Sequence, residues 1–273
     1  MPDENQDPET PKSAFQRFWE MPADSLTKTV AMAVALCLVA SMVVSAAAVA
    51  LRPIQEVNAL KDKQINILQV AGIYDPAVDV LDSFAAFEPR ILDLETGRFT
   101  DRFDPATFDD RAAADDPAIS AELDDDPAGI VRQSRFVTVY VLRDEAGGID
   151  KVVLPIHGYG LWSTLYGFIA LEENGNDIYA LQFYEHAETP GLGAEVDNPR
   201  WKALWHGKRL VDDEGELQIN VSKKPTAAGE DYHVDALSGA TLTTVGVHNL
   251  VNFWMGEAGY RGFLENLKAG IIS

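Results

Sequence analysis

The residues best suited to chemistry lie in one stretch, Asp235-Ala236-Leu237-Ser238-Gly239-Ala240-Thr241-Leu242-Thr243-Thr244. It reads as a tight polar turn feeding a helix. Ser238 stands where an N-cap would, and Val245, Leu250, Val251 and Trp254 follow as an apolar face. Gly239 and Ala240 add almost no side chain, so a bulky group can come close to the backbone. The first amides of a helix lack internal acceptors and sit at the positive end of its dipole, which suits a phosphate. Three hydroxyls, those of Ser238, Thr241 and Thr243, share the spot. These residues define a candidate anion site; an ordinary capped helix after a turn accounts for them as well.

Other stretches carry weaker signals. Glu188-Thr189-Pro190-Gly191-Leu192-Gly193 is either a rigid loop built for close approach or a plain turn between strand and helix. Trp162 sits in a glycine- and aromatic-rich run from Gly158 to Gly167. Lys223 and Lys224 are the only basic pair near the Ser238 turn. The sole cysteine, Cys37, excludes an internal disulfide, a cysteine-ligated cluster and a Cys-X-X-Cys redox motif. His157, His186, His206, His233 and His248 show no metal-ligand spacing, so no metal site is expected. Any redox chemistry must come from a bound organic cofactor. A net charge of −21, from 43 acidic and 22 basic residues, argues against nucleic acid as a partner.

The elements that position these residues follow from pattern. Thr29 to Leu51 contains no charged residue and is long enough to cross a hydrocarbon core of ~30 Å. The leader before it is long and acidic, unlike a cleaved signal, so a retained transmembrane helix is expected. Flanking charges do not orient it: Lys12, Arg17 and Lys28 balance Arg52, Lys61 and Lys63. Residues 1–24 read as a disordered tail, with Phe15, Phe18 and Trp19 as an interfacial anchor. Arg52-Pro53 closes the apolar segment. A stalk helix follows to about Gly72, then a short helix over 75–89. Clustered aspartates over 101–126 lack the glycine and glutamate of a calcium loop and read as a solvated loop with a short helix. Strands are expected at 91–95, 136–142, 150–156, 168–171, 178–184 and 218–221, joined mostly by short turns, and a short helix at 201–205. The fold class is α+β: an antiparallel sheet with flanking helices, preceded by one transmembrane helix.

Ser238-Gly239-Ala240-Thr241, with Asp235 ahead of it, resembles the flavinylation motif of the FMN-binding domain family. Gly158-Tyr159-Gly160-Leu161-Trp162-Ser163-Thr164-Leu165-Tyr166-Gly167 and His186 to Gly193 resemble the C-subunit family (NqrC) of sodium-translocating NADH:quinone reductases. The likeness covers nearly the whole chain. It implies FMN joined to Thr241 through a phosphoester, with Ser238, Gly239 and Ala240 shaping the phosphate pocket. Asp235 would fix the turn, or help bind the modifying enzyme or its metal. Glu188, Thr189, Gly191, Leu192 and Gly193 would lie against the flavin, Leu192 pressing on the ring and Thr189 bonding it. Trp162 would stack on the ring or cover a core. Lys223 would offset phosphate charge or stand as a solvated strand end. His186 and His233 are more distant candidates.

The same resemblance implies a one-electron relay in a six-subunit bacterial inner-membrane complex carrying electrons from NADH to ubiquinone. The expected partners are the other subunits, membrane lipid and a flavin transferase that uses FAD. Residues 1–28 would be cytoplasmic, 29–51 the membrane helix, 52–90 a stalk with connecting helices, and 91–273 a periplasmic FMN-binding domain. Two alternatives remain at this level: the flavin-carrying G subunit of the related Rnf complex, and a membrane-anchored scaffold without redox chemistry.

Overall fold

The computed structural model describes residues 13–272. They fall into two compact units, one up to Ala59 and one from Leu60. The first holds α1 (Ala14–Glu20) and the start of α2 (Leu26–Val70). The tail expected to be disordered is helical over α1, because Ser13 and Gln16 form a reciprocal capping box. The part of that expectation covering residues 1–12 lies outside the described residues. Lys28 Nζ donates to the Trp19 and Met21 carbonyls at 3.1 and 2.8 Å, closing α1 onto the start of α2. The apolar stretch of α2 is exposed along its length, as a helix that meets lipid would be.

Pro53 does not end α2; it lies inside it. An interior proline forfeits one hydrogen bond and costs about 3 kcal/mol. The expected boundary at residue 91 also shifts. It falls within β1 (Phe87–Asp93), and the end of α2 already belongs to the core of the second unit, through Ile67, Leu68 and Val70. The helix expected over 75–89 is only α3 (Val80–Phe84), because Phe87 to Pro89 already pair in the sheet.

That sheet has six strands in the order β2-β1-β5-β6-β7-β8, all antiparallel. β2 spans Arg98–Thr100, β5 Phe136–Arg143, β6 Ile149–Tyr159, β7 Thr164–Glu172 and β8 Ile178–Glu185. Side chains alternate between its faces. Val137, Val139, Val141, Val152, Leu154, Ile169 and Leu181 pack with α6 (Thr241–Met255) and α7 (Arg261–Lys268). Phe87, Tyr140, Leu142, Val153, Phe168 and Ala170 pack with Ile67, Leu68, Val70 and Val80. Both faces are covered, which is why β5 is buried along nearly its whole length.

The acidic 101–126 stretch carries α4 (Asp110–Asp115) and β3 (Ser120–Glu122), which pairs with β4 (Arg132–Ser134). Asp110 fastens it: one carboxylate oxygen accepts the Thr138 amide at 2.7 Å, and the other lies 3.6 Å from Lys63 of α2. The helix expected at 201–205 appears as α5 (Pro199–Lys202) running into a 3-10 turn. A parallel pair, β9 (Asn220–Ser222) with β10 (His233–Asp235), leads into α6. Two anchors pin the C-terminal helices to β6: Trp254 Nε1 donates to the His157 carbonyl at 2.7 Å, and the Tyr260 hydroxyl to the Pro155 carbonyl at 2.6 Å.

Candidate functional site

The turn before α6 is closed by residues other than those the sequence suggests. The N-cap is Ala240, not Ser238, and it makes no side-chain cap. Thr244 does that work from inside the helix: its hydroxyl accepts the Leu237 amide at 3.1 Å and donates to the Ala240 carbonyl at 2.9 Å. Gly239 carries the bend at a φ of +75°, a region that only glycine enters cheaply. Thr241 is therefore the first residue of the helix, with its side chain exposed. The amides of Thr241, Leu242 and Thr243 have no acceptor among the described residues. These are donors an anion would need, on a helix long enough to carry a dipole.

Thr243 does not share that spot. It is fully buried, and its hydroxyl donates to Glu188 Oε2 at 2.6 Å. Glu188 Oε1 accepts the Leu161 and Trp162 amides at 2.9 and 3.0 Å. Burial pushes the Glu188 carboxyl up, but the Thr243 hydroxyl and these two amides outweigh it and hold the group below its usual value. It stays ionised at neutral pH. Both of its oxygens are engaged within the protein.

The stretch from Gly158 to Gly167 is not a loop but the end of β6 and the start of β7, with only 160–163 turning. Its glycines serve close approach. A Cβ on Gly158 would lie 2.5 Å from Leu250 Cβ, and one on Gly246 would lie 2.5 Å from the Tyr159 carbonyl. Helix α6 thus rests directly on the hairpin. On its outer side four apolar side chains stay in solvent: Trp162 at 65%, Leu242 at 61%, Val245 at 47% and Leu192 at 44% exposed. Val245, read from the sequence as core, follows Thr241 by four residues and shares its outward face. Leu192 leans on the turn, its Cδ2 3.2 Å from where a Gly239 Cβ would be. Leu242 and Val245 are site residues that sequence reasoning missed; their position relative to Thr241 on the helix was the available signal.

The remaining expected residues are placed as follows. Thr189 is exposed, and its carbonyl accepts the Leu192 and Ala194 amides at 3.1 Å each, which curls the loop. Gly191 supplies a positive φ there, and Gly193 is buried against Glu188. The β9–β10 register pairs Ser222 with Asp235, so Lys223 runs on beside Ala236, exposed and without a partner among the described residues. The Asp235 carbonyl accepts Trp201 Nε1 at 2.8 Å, while its carboxylate is exposed and bonds to none of the described residues. Ser238 is exposed. His186 holds Asp197 at 2.8 Å through Nε2 and accepts the Glu188 amide on Nδ1 at 3.2 Å, and buried His233 meets the Ser222 carbonyl at 2.9 Å. A cavity of about 420 Å³ elsewhere, lined by Leu94, Gln133 and Arg135 among others, shares none of these residues. The site is an open rim, not a cavity.

Such a rim suits a flat ring on the apolar side chains and a phosphate on the free amides. The class is that of a flavin-binding domain: the family model described as FMN-binding domain matches residues 160–256, from the hairpin tip to the end of α6. The C subunit of the Na(+)-translocating NADH-quinone reductase from Pseudomonas aeruginosa is 47% identical over 90% of this chain and 98% of its own length. Its Yersinia pestis counterpart is 46% identical over 91% of this chain and 96% of its own. The crystal structure of Shewanella oneidensis NqrC superposes with a TM-score of 0.71 at 36% identity, covering 77% of this chain and 99% of that one. The chain belongs to the C-subunit family of Na(+)-translocating NADH-quinone reductases.

Proposed function

We propose that this chain is the flavin relay of a Na(+)-translocating NADH-quinone reductase, carrying FMN covalently on Thr241. Membership of the C-subunit family and the FMN-binding domain support the reductase assignment and the cofactor. The match over nearly the full length also favours the reductase over the Rnf reading. The observation that carries the attachment is the placement of Thr241: an exposed hydroxyl at the first position of α6, beside three unpaired amides and four exposed apolar side chains.

When bound, FMN supplies one-electron redox chemistry; the protein supplies position. The amides of Thr241, Leu242 and Thr243 receive the phosphate, and Lys223 offsets its charge. Trp162, Leu192, Leu242 and Val245 give the ring an apolar wall. Leu192 presses on the ring, and Thr189 offers it a hydroxyl. Gly239 and Ala240 leave space for a flavin transferase to reach the Thr241 hydroxyl from outside. Since the Asp235 carboxylate has no partner in the turn, we assign it to the transferase or its metal. Ser238, equally free, faces the same approach.

Thr241→Ala should abolish the flavin-fluorescent band that survives SDS denaturation, and Thr243→Ala should keep a band, weaker than wild type but not lost, because the Thr241 hydroxyl is still there. Thr241→Ser, which retains a hydroxyl, should label in part. Flavin located on Thr243 by peptide mass would refute the assignment, and a wild-type band without flavin would favour a scaffold. Protein made in a host without the transferase should be colourless. The apolar part of α2 would anchor the chain in lipid, with the N-terminus cytoplasmic and the flavin domain periplasmic. A reporter active only outside the cytoplasm, fused after Ser273, should be active; activity of a cytoplasm-only reporter there would reverse the topology.

A further inference from the structure

Glu188 lies where three separate pieces of chain meet: the loop after β8, the tip of the β6–β7 hairpin and the first turn of α6. It is 5% exposed. Its partners are the Thr243 hydroxyl and the Leu161 and Trp162 amides, with the Ser163 amide adding to them, and among the described residues no cation. The neighbours are cut to fit around it. A Cβ on Gly160 would stand 2.6 Å from Glu188 Oε1, and one on Gly193 would stand 2.5 Å from Oε2 and 2.6 Å from Thr243 Oγ1. A carboxylate is the side chain that accepts from several converging donors while donating to none. Glutamine in its place would set an N–H₂ against the Thr243 hydroxyl.

We propose that Glu188 is a positioning residue that sets the flavin rim: it fixes the Trp162 and Leu192 walls relative to Thr241, and it turns Thr243 inward so that Thr241 is the hydroxyl presented to the modifying enzyme. The two threonines lie two residues apart on one helix, so they point to different sides of it. The bond to Glu188 fixes which side faces in. The Trp162 wall is held through its own backbone amide, and the Leu192 wall through the loop that Glu188 begins. This inference rests on the reading of Thr241 as the attachment site. It is separable from that reading because the clamp exists without flavin.

The test uses the full chain, first flavin-free, with Glu188→Ala, Glu188→Gln, Thr243→Val and Thr243→Ser. Deuterium uptake is followed in peptides spanning 160–165 and, as a control, in the β6 interior around Val153. Glu188→Ala should speed exchange at the hairpin tip about tenfold or more, with the β6 interior unchanged. Thr243→Val should speed it less, Glu188→Gln should fall between wild type and Glu188→Ala, and Thr243→Ser should match wild type. Unchanged tip exchange in Glu188→Ala, or equal acceleration everywhere, overturns the clamp. If Glu188→Ala does not fold, Thr243→Val answers on the same peptides. The second readout is peptide mass after incubation with FAD and the transferase. The fraction labelled on Thr241 should fall several-fold in Glu188→Ala and Thr243→Val, and Thr243→Ser should restore it. Full labelling in both disabled variants overturns the inference. Wild-type protein that takes no flavin defeats the attachment reading alone, since the exchange result still decides the clamp.

Discussion

Gly246 is a residue on which two effects compete with opposite sign. In a helix interior, alanine is favoured over glycine by about 1 kcal/mol. A Cβ there would stand 2.5 Å from the Tyr159 carbonyl and 2.9 Å from Gly160 Cα, both backbone atoms that no rotamer change can clear. Overpacking of this kind costs about 1–3 kcal/mol. Gly246→Ala should therefore lower the denaturation midpoint; a raised midpoint would show that α6 and the hairpin can part at little cost. His157 is a second residue with a consequence. Burial, with the Arg111 guanidinium adding to it, pushes this imidazole down to about 4. Below its ordinary value of 6.5 the unfolded chain takes the proton and the native state does not. Stability should fall as pH drops from about 6.5 toward 4 and should be indifferent to His157 above that window. His248, lowered by burial, adds in the same sense, and Asp110, raised by burial, opposes. His157→Phe should flatten the slope of denaturation midpoint against pH; an unaltered slope would refute this account.

At the scale of elements, the end of α2 is part of the folded core. Ile67, Leu68, Val70 and Ala71 cover one sheet face. Burying a large aliphatic side chain is worth roughly 1.5–3 kcal/mol, so losing several exceeds the margin of an ordinary domain. A protein beginning at Ile54 should be soluble without detergent and unfold cooperatively. One beginning at Ile91 should aggregate or lack a sharp transition, and a cooperative melt from it would count against this packing. The sequence made some elements plain and hid others, for physical reasons. β5 was legible because branched and aromatic residues run unbroken through it. The β6–β7 hairpin runs beyond the strands expected at 150–156 and 168–171 because Gly158 and Gly167 look like turn residues. They are strand residues whose missing side chains admit Leu250 and Phe183. Pro53 misled because helix continuity there is decided by the backbone on both sides of it, not by one residue.

At the scale of the molecule, the sheet gathers residues that the sequence scatters. Asp235, Ser238, Gly239 and Thr241 were legible as one group because they are neighbours in the chain. That Glu188 reaches Thr243, and that the Trp162 amide reaches Glu188, depends on how β6, β7 and α6 stack, which no local pattern encodes. The exposure of Val245 depends on the same stacking.

The openness of the rim has a consequence for occupancy. Binding sites that retain a small molecule by affinity usually enclose roughly 70–90% of its surface. Four half-exposed side chains on one side of a ring cannot do that. A ligand held there without a bond would be retained weakly and would leave on dilution. The bond to Thr241 that we propose would remove the dependence on free cofactor, because the tether would set the local concentration. It would also leave one face of the ring free for a neighbour to approach. Thr241→Ala protein soaked in FMN should lose it on dialysis. The same bond would make loading a single event in the life of the chain: a polypeptide with a damaged flavin could be replaced only whole.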